Sequence, residues 1–397
     1  MNEALRLFSS VLKAISFDKL CEIVESLKGL RYFVGIVDLC LLYASYLDPA
    51  DPQVQTAVPD QSYFRRMDCY QLIFTTLASL DSTCGTPVQV EKYKAIILNQ
   101  ALASDDSLFH YTLYDWFIQQ NMSEELLKVQ SPYLEGYLAG EPDNILKAEL
   151  LWKLYAKHGR FVLSAQVLYH IAQLPGLAID QRLEYLTKAV THAKSSGSVD
   201  MGANQNFLTE LQDTLDVARV QLDLSRTLVA MPEMQLVKEE LDRELVDMDT
   251  LYHQYAARYQ IYEIVLAVFH LSDLGASGRA KVEGAWLEVI QKSKLIANLA
   301  AMQAQEYHRT FSESIAEKIK ELGKRFYPNE NSFPLHFLIS QLEHAEMERE
   351  GDHEWLIAAL RDVKVPFNQL FQIYHEIFRS KVFLTLRRCL HGQRLGP

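Results

Sequence analysis

Twelve histidines stand among 397 residues, so metal chemistry is the first possibility to weigh. Two imidazoles one helical turn apart, with a carboxylate beside the first, would hold zinc and a general base on one face. The nearest stretches are 353-HEWLI-357 and 375-HEIFR-379, and they put Ile357 and Arg379 where the second ligand must lie. No His-Asp dipeptide occurs, so the signature of helical metal-phosphohydrolases is missing too. The stretch 105-DDSLF-109 begins like the Asp-rich motif that holds magnesium in terpenoid synthases, but Phe109 stands in place of the last acid. Asp105 and Asp106 read instead as helix-start acids. In 233-EMQLVKEELDRELVDMD-249 seven acids and two bases alternate with Leu236, Leu241 and Leu245, which is the pattern of a solvated helix face. There is no Walker loop, no dinucleotide-binding glycine motif and no nucleophile elbow. The residues therefore point away from an enzyme and call for no cofactor.

A second cluster is aromatic. In 107-SLFHYTLYDWFIQQN-121 five rings fall in ten positions from Phe109, with Asp115 among them. Stacking on nucleic-acid bases is disfavoured, because no Arg or Lys flanks the rings. The net charge of −12 disfavours any phosphate-backbone partner. The one basic concentration is Arg379, Lys381, Arg387, Arg388 and Arg394, in a stretch free of acids from 379 onward. Read as a helix, the aromatic run is apolar in nearly every direction, which predicts burial all round. Asp115 would then need a tyrosine hydroxyl or helix-end amide as partner. Five cysteines without a C-x-x-C pair fit scattered buried thiols in a reducing compartment. The opening 1-MNEALRLFSS does not read as a secretory signal peptide. The most apolar run, 30–47, is broken by Arg31 and Asp38, so it reads as a packed helix rather than a membrane span.

The elements that must carry these residues are helices. Ala148, Leu151, Trp152 and Tyr155 keep helical spacing, as do Ala165, Leu168, Tyr169 and Ala172. Between the two blocks lies Gly159, a left-handed stop. Pro175 and Gly176 end the second block, and Asp180 can cap the next helix, 181–196. Thr86, Pro87 and Gln89 read as a capping box with proline at the first helical position, and Ser131-Pro132 repeats the cap. Pro366 opens a helix with Leu370, Phe371 and Tyr374 on one face. No strand signal appears. Weak points are expected at 48–60, 195–205 and 275–278, the first two long enough to be exposed loops. Helix pairs joined by short connections, with no fixed repeat period, predict an all-α fold: an irregular α-solenoid of stacked helix pairs over 1–380, followed by a basic tail, 381–397.

Six segments, in order, also carry a resemblance. They are 113-LYDWFI-118, 150-LLWKLYAKHGRFVLSAQVL-168, 182-RLEYLTKAVTHAKSS-196, 241-LDRELVDMDTLYHQYA-256, 333-FPLHFLISQLE-343 and 363-VKVPFNQLFQIYHEIF-378. Together they resemble the C-terminal part of the large non-repetitive scaffold nucleoporins, the nucleoporin 155/170 family. The resemblance implies the C-terminal α-solenoid of a longer protein whose N-terminal β-propeller is not in this chain. It implies a structural constituent of the nuclear pore inner ring, at the nuclear envelope, supporting nucleocytoplasmic transport. The expected partners are other nucleoporins, including linker nucleoporins with extended binding segments. It implies no direct nucleic-acid contact, and membrane proximity only through the full-length protein or its partners. The ending 381-KVFLTLRRCLHGQRLGP-397 does not resemble the family. Rival readings are another helical transport or vesicle-coat scaffold, and an all-α enzyme of unknown type.

A docking place can be proposed from the rings alone. Phe333, Phe337, Phe367, Phe371 and Tyr374 give the two helices 333–348 and 366–380 more aromatic surface than mutual packing needs. Rings in a groove are the usual anchors of a bound peptide. These five are the expected partner-binding residues.

Overall fold

A computed structural model describes residues 11, 15–47, 61–80, 86–195, 201–272, 275–302, 311–347 and 354–392. Among them there are helices and turns and no strand. The chain divides into two compact units, Met1–Ile171 and Ala172–Pro397.

The first unit contains α1 (Phe17–Gly29), α2 (Phe33–Leu47), α3 (Gln61–Ala78), α4 (Pro87–Leu102), α5 (Ser107–Gln119), the single turn α6 (Ser123–Leu126), α7 (Pro132–Ala139), α8 (Ile145–Lys157) and most of α9 (Phe161–Gln173). Its core runs through Leu20, Ile36, Tyr70, Phe109, Phe117 and Leu150, all buried. Helix α2, the apolar run of the sequence, packs against α1, α3 and α4. No helix among the described residues is long and apolar enough to cross a membrane. The α8–α9 hairpin forms where periodicity places it. Asn144 caps α8 by accepting from the Leu146 and Lys147 amides, and Gly159 adopts φ +72° between the helices. A side chain there would sit in the left-handed region at a cost of about 1–2 kcal/mol.

The second unit contains α10 (Ile179–Ser195), α11 (Met201–Val229), a 3₁₀ turn (Pro232–Met234), α12 (Gln235–Leu241), α13 (Met248–Thr250) running into a π-helical stretch (Leu251–Ala256), α14 (Tyr262–Leu271), α15 (Gly275–Met302), α16 (Phe311–Phe326), α17 (Leu335–Met347), α18 (Glu354–Asp362) and α19 (Phe367–Gly392). Helices α10 and α11 lie together, as do α14 and α15, and α16 and α18. The core is built on Trp286, Ile315, Phe326, Leu338 and Leu360.

Several local expectations change. Thr86 does stand before Pro87 at the start of α4, but its side chain makes no cap hydrogen bond. The backbone carbonyl of Thr86 accepts instead from the Gln89 and Val90 amides. Asp180 lies inside the first turn of α10 rather than before it. Of the expected break at 195–205, Ser195 ends α10 and 201–205 belong to α11, while 196–200 lie outside the described residues. At 275–278 there is no break: the segment opens the 28-residue helix α15. The basic segment is helical in its backbone through Gly392, as the continuation of α19. The expected loop 48–60 lies outside the described residues.

Candidate functional site

The aromatic run proves to be core with one wet edge. On α5, Phe109, His110, Leu113, Tyr114 and Phe117 are buried. Phe74 of α3 stacks nearly parallel on Phe109 and on Trp116, with centroids 6.3 and 5.9 Å apart. The buried His110 pairs with the Ser104 carbonyl at 2.8 Å and the Tyr114 hydroxyl at 3.0 Å. Burial is not complete around the helix, however. Trp116 is half-buried and Asp115 is exposed, accepting a hydrogen bond from the Tyr137 hydroxyl. Burial and this carboxylate together push the Tyr137 phenol above its ordinary range. The helix start follows the expectation for Asp106, whose carboxylate accepts from the Leu108 and Phe109 amides. The same carboxylate takes both oxygens to Arg66, at 2.9 Å each.

The five proposed docking rings separate into two groups. Phe333 is 1% exposed. Its ring meets Trp286 edge-on with centroids 5.5 Å apart, and Trp286 donates its indole N–H to the Ser332 carbonyl at 2.9 Å. Gly323 of α16 lets this corner close, since a Cβ there would meet Val363 Cγ2 at 2.6 Å. Phe337 is half-buried against the same core. Tyr374 is half-buried and donates to Glu343 Oε1 at 2.6 Å. Burial first, and then Glu343, raise the Tyr374 phenol above its usual range. These three residues are packed supports, and Phe333 in particular has no surface for a partner to touch.

The other two rings face solvent. Phe367 is 74% exposed and Phe371 64%. Leu370 and Ile373 occupy the buried face of α19, so Phe371 does not share a face with Leu370 as its spacing had indicated. Two residues join the outer stripe that the sequence reading did not name. Phe378 is 67% exposed, and the His375 ring lies parallel to Phe371 at 6.0 Å. Positions 367, 371, 375 and 378 recur every three or four residues, so the stripe was present in the spacing. Spacing alone could not say that it faces outward.

In the first unit an apolar recess of about 280 Å³ is lined by residues including Leu138, Leu151, Tyr155, Leu163 and Val167. Among the described residues no group of three or more His, Cys, Asp or Glu is placed to hold a metal ion. What the described residues do present to solvent is the outer ring stripe of α19 and an apolar recess in the first unit.

Comparison with known proteins agrees with a packing protein. The family model for the non-repetitive/WGA-negative nucleoporin C-terminal region matches residues 1–392. Saccharomyces cerevisiae Nup170 is 24% identical over 364 residues, covering 84% of this chain and 24% of that protein. Drosophila melanogaster Nup154 is 30% identical over 260 residues, covering 62% of this chain and 18% of that protein. The chain spans 18–30% of the length of four such relatives. Among solved structures, the Chaetomium thermophilum Nup170 C-terminal domain in complex with Nup145N superposes with a TM-score of 0.84 at 24% identity. The match covers 96% of this chain and 80% of that one, and it fixes the fold as an irregular α-solenoid. The chain thus belongs to the non-repetitive nucleoporin family, and corresponds to the C-terminal region of its nucleoporin 155/170 members.

Proposed function

We propose that this chain is a non-enzymatic scaffold segment of the nuclear pore inner ring at the nuclear envelope, and that it holds extended segments of other nucleoporins. The observation that carries the reading is the family match over residues 1–392. The complex of the Chaetomium thermophilum domain with Nup145N supports the partner class. The solvent-facing rings of α19, Phe367 and Phe371, are the docking anchors, while Phe333, Phe337 and Tyr374 belong to the packing of the unit's core. A large ring set in a desolvated seat contributes most of the energy of such contacts, about 2 kcal/mol or more for a hot-spot side chain. Membrane proximity comes through the full-length protein or its partners, and nucleic acid is not contacted directly.

The test has two parts. The chain used as bait in nuclear-envelope extract should recover other nucleoporins. Calorimetry with linker-nucleoporin peptides should then show weaker binding for Phe367→Ala and Phe371→Ala, each first shown to be folded by circular dichroism. Affinity unchanged in both folded variants moves the docking face elsewhere. An empty pull-down removes the scaffold reading itself.

A further inference from the structure

Only two Ser/Thr-Pro dipeptides occur in the chain, Thr86-Pro87 and Ser131-Pro132. Both stand at helix starts, before α4 and α7. Their surroundings differ. Ser131 is half-buried, and its Oγ accepts from the Tyr133 amide at 3.3 Å. The Thr86 side chain makes no cap hydrogen bond. Thr86, Pro87, Val88 and Gln89 are all exposed. The Thr86 backbone is extended, with φ −141° and ψ 144°. Proline enforces that geometry on the residue before it, and an extended chain is the form in which a substrate segment lies in a kinase cleft.

We propose that Thr86 is a phosphorylation site for a proline-directed serine/threonine kinase, and that the fold withholds Ser131 from the same enzyme. In the transfer, Thr86 Oγ1 attacks the γ-phosphorus of ATP and forms the new P–O bond. The bond to the β,γ-bridging oxygen breaks, ADP leaves with that electron pair, and the hydroxyl proton passes to the kinase's base. The product phosphate carries about −1.5 to −2 charges. It arises beside the Val88 and Gln89 amides at the start of a 16-residue helix, where a negative charge is favoured. The other end of α4 is held on α2 by the buried Ile97 and Ala101 and by Gln100 Nε2 donating to Asp38 at 2.6 Å. The modification therefore acts on the exposed first turn and leaves the docked part of the helix in place.

The folded chain is treated with ATP and a recombinant kinase selective for proline after the acceptor, and the products are mapped by fragment mass spectrometry. Two synthetic peptides, 80–92 and 125–137, serve as unfolded references. Both peptides should be modified, whereas in the folded chain Thr86 should react at least about tenfold faster than Ser131, because Thr86 is exposed with no cap bond while Ser131 is half-buried and bonded to the Tyr133 amide. Thr86→Ser should keep the reaction. Thr86→Ala should lose it with an unchanged thermal midpoint, since no side-chain cap bond is removed. Hydrogen exchange at Val88 and Gln89 should slow after modification. Comparable rates at the two sites in the folded chain, a phosphate retained by Thr86→Ala, or no reaction at Thr86 in either peptide or protein would each overturn the proposal. Unchanged exchange at Val88 and Gln89 would overturn the effect assigned to the phosphate.

Discussion

Arg182 is 0% exposed and gives its donors to backbone carbonyls, those of Ala172 and Arg243 at 2.7 Å and of Leu177 at 3.0 Å. Burial pulls its pKa down, yet a guanidinium remains charged in this setting. Arg182→Ala leaves three inward carbonyls without their donors, and we expect it to cost about 3–5 kcal/mol in urea unfolding. Arg182→Lys should recover only part of this, because an ammonium lacks the planar fork. A loss under about 1 kcal/mol for the alanine variant would show that water replaces the guanidinium without strain. His270 makes a prediction of the opposite kind. Its Nδ1 lies 2.8 Å from the Ser332 hydroxyl, and burial, helped by Arg325, lowers its pKa from 6.5. Burial lowers the pKa of His192 in the same way. The folded state thus favours the neutral ring, so the stability it contributes is complete above about pH 6.5 and is lost as pH falls through the folded value. The thermal midpoint should drop between about pH 7 and about pH 5, and His270→Gln should flatten that slope.

Helix α5 shows how a single element divides its costs. Phe117 is 1% exposed and Trp116 only half-buried. Phe117→Ala should therefore cost about 3–5 kcal/mol by the usual large-to-small scale, and Trp116→Ala distinctly less despite its larger ring. Calorimetric unfolding of the two variants, compared at one pH, decides this. Equal losses would mean that the Phe74–Trp116 stack matters as much as the core position. The sequence disclosed the helix, its Asp106 cap and its apolar surplus, because these are set by residues within a few positions of one another. It did not disclose the exposed edge at Asp115, which depends on which neighbour lies opposite. The same limit applies to Phe333, just before α17, and Phe371 of α19, which read alike although only Phe371 reaches solvent. Helix ends tell a similar story. Five joints repeat one pattern, in which a left-handed residue follows the helix and the next amide bonds back five positions: Tyr32 to Leu27, Met122 to Phe117, Arg160 to Tyr155, Ile261 to Ala256 and Val365 to Leu360. Only Gly159 announces itself. At the other four joints the left-handed residue is Arg31, Asn121, Gln260 or Lys364, types that carry little or no such signal.

At the scale of the whole molecule, each unit carries its own buried cluster, one around Phe109 and Phe117 and one around Trp286 and Phe326. Hydrogen exchange should report them separately: Phe117→Ala should speed exchange in α1 to α8, and Trp286→Ala in α14 to α18. Equal acceleration throughout by either variant would show a single cooperative block. The recurrent joint also explains why no fixed period marks this chain. What repeats is the way a helix stops, while helix length is free to vary from 3 residues in α13 to 29 in α11. That freedom offers a route to a hardier protein for preparative work. A left-handed L-residue costs about 1–2 kcal/mol that glycine does not, against about 0.4–1 kcal/mol of added unfolded-chain entropy. Glycine at Arg31, Gln260 and Lys364 should accordingly raise the melting temperature in small increments that add, because no two of these joints share a turn.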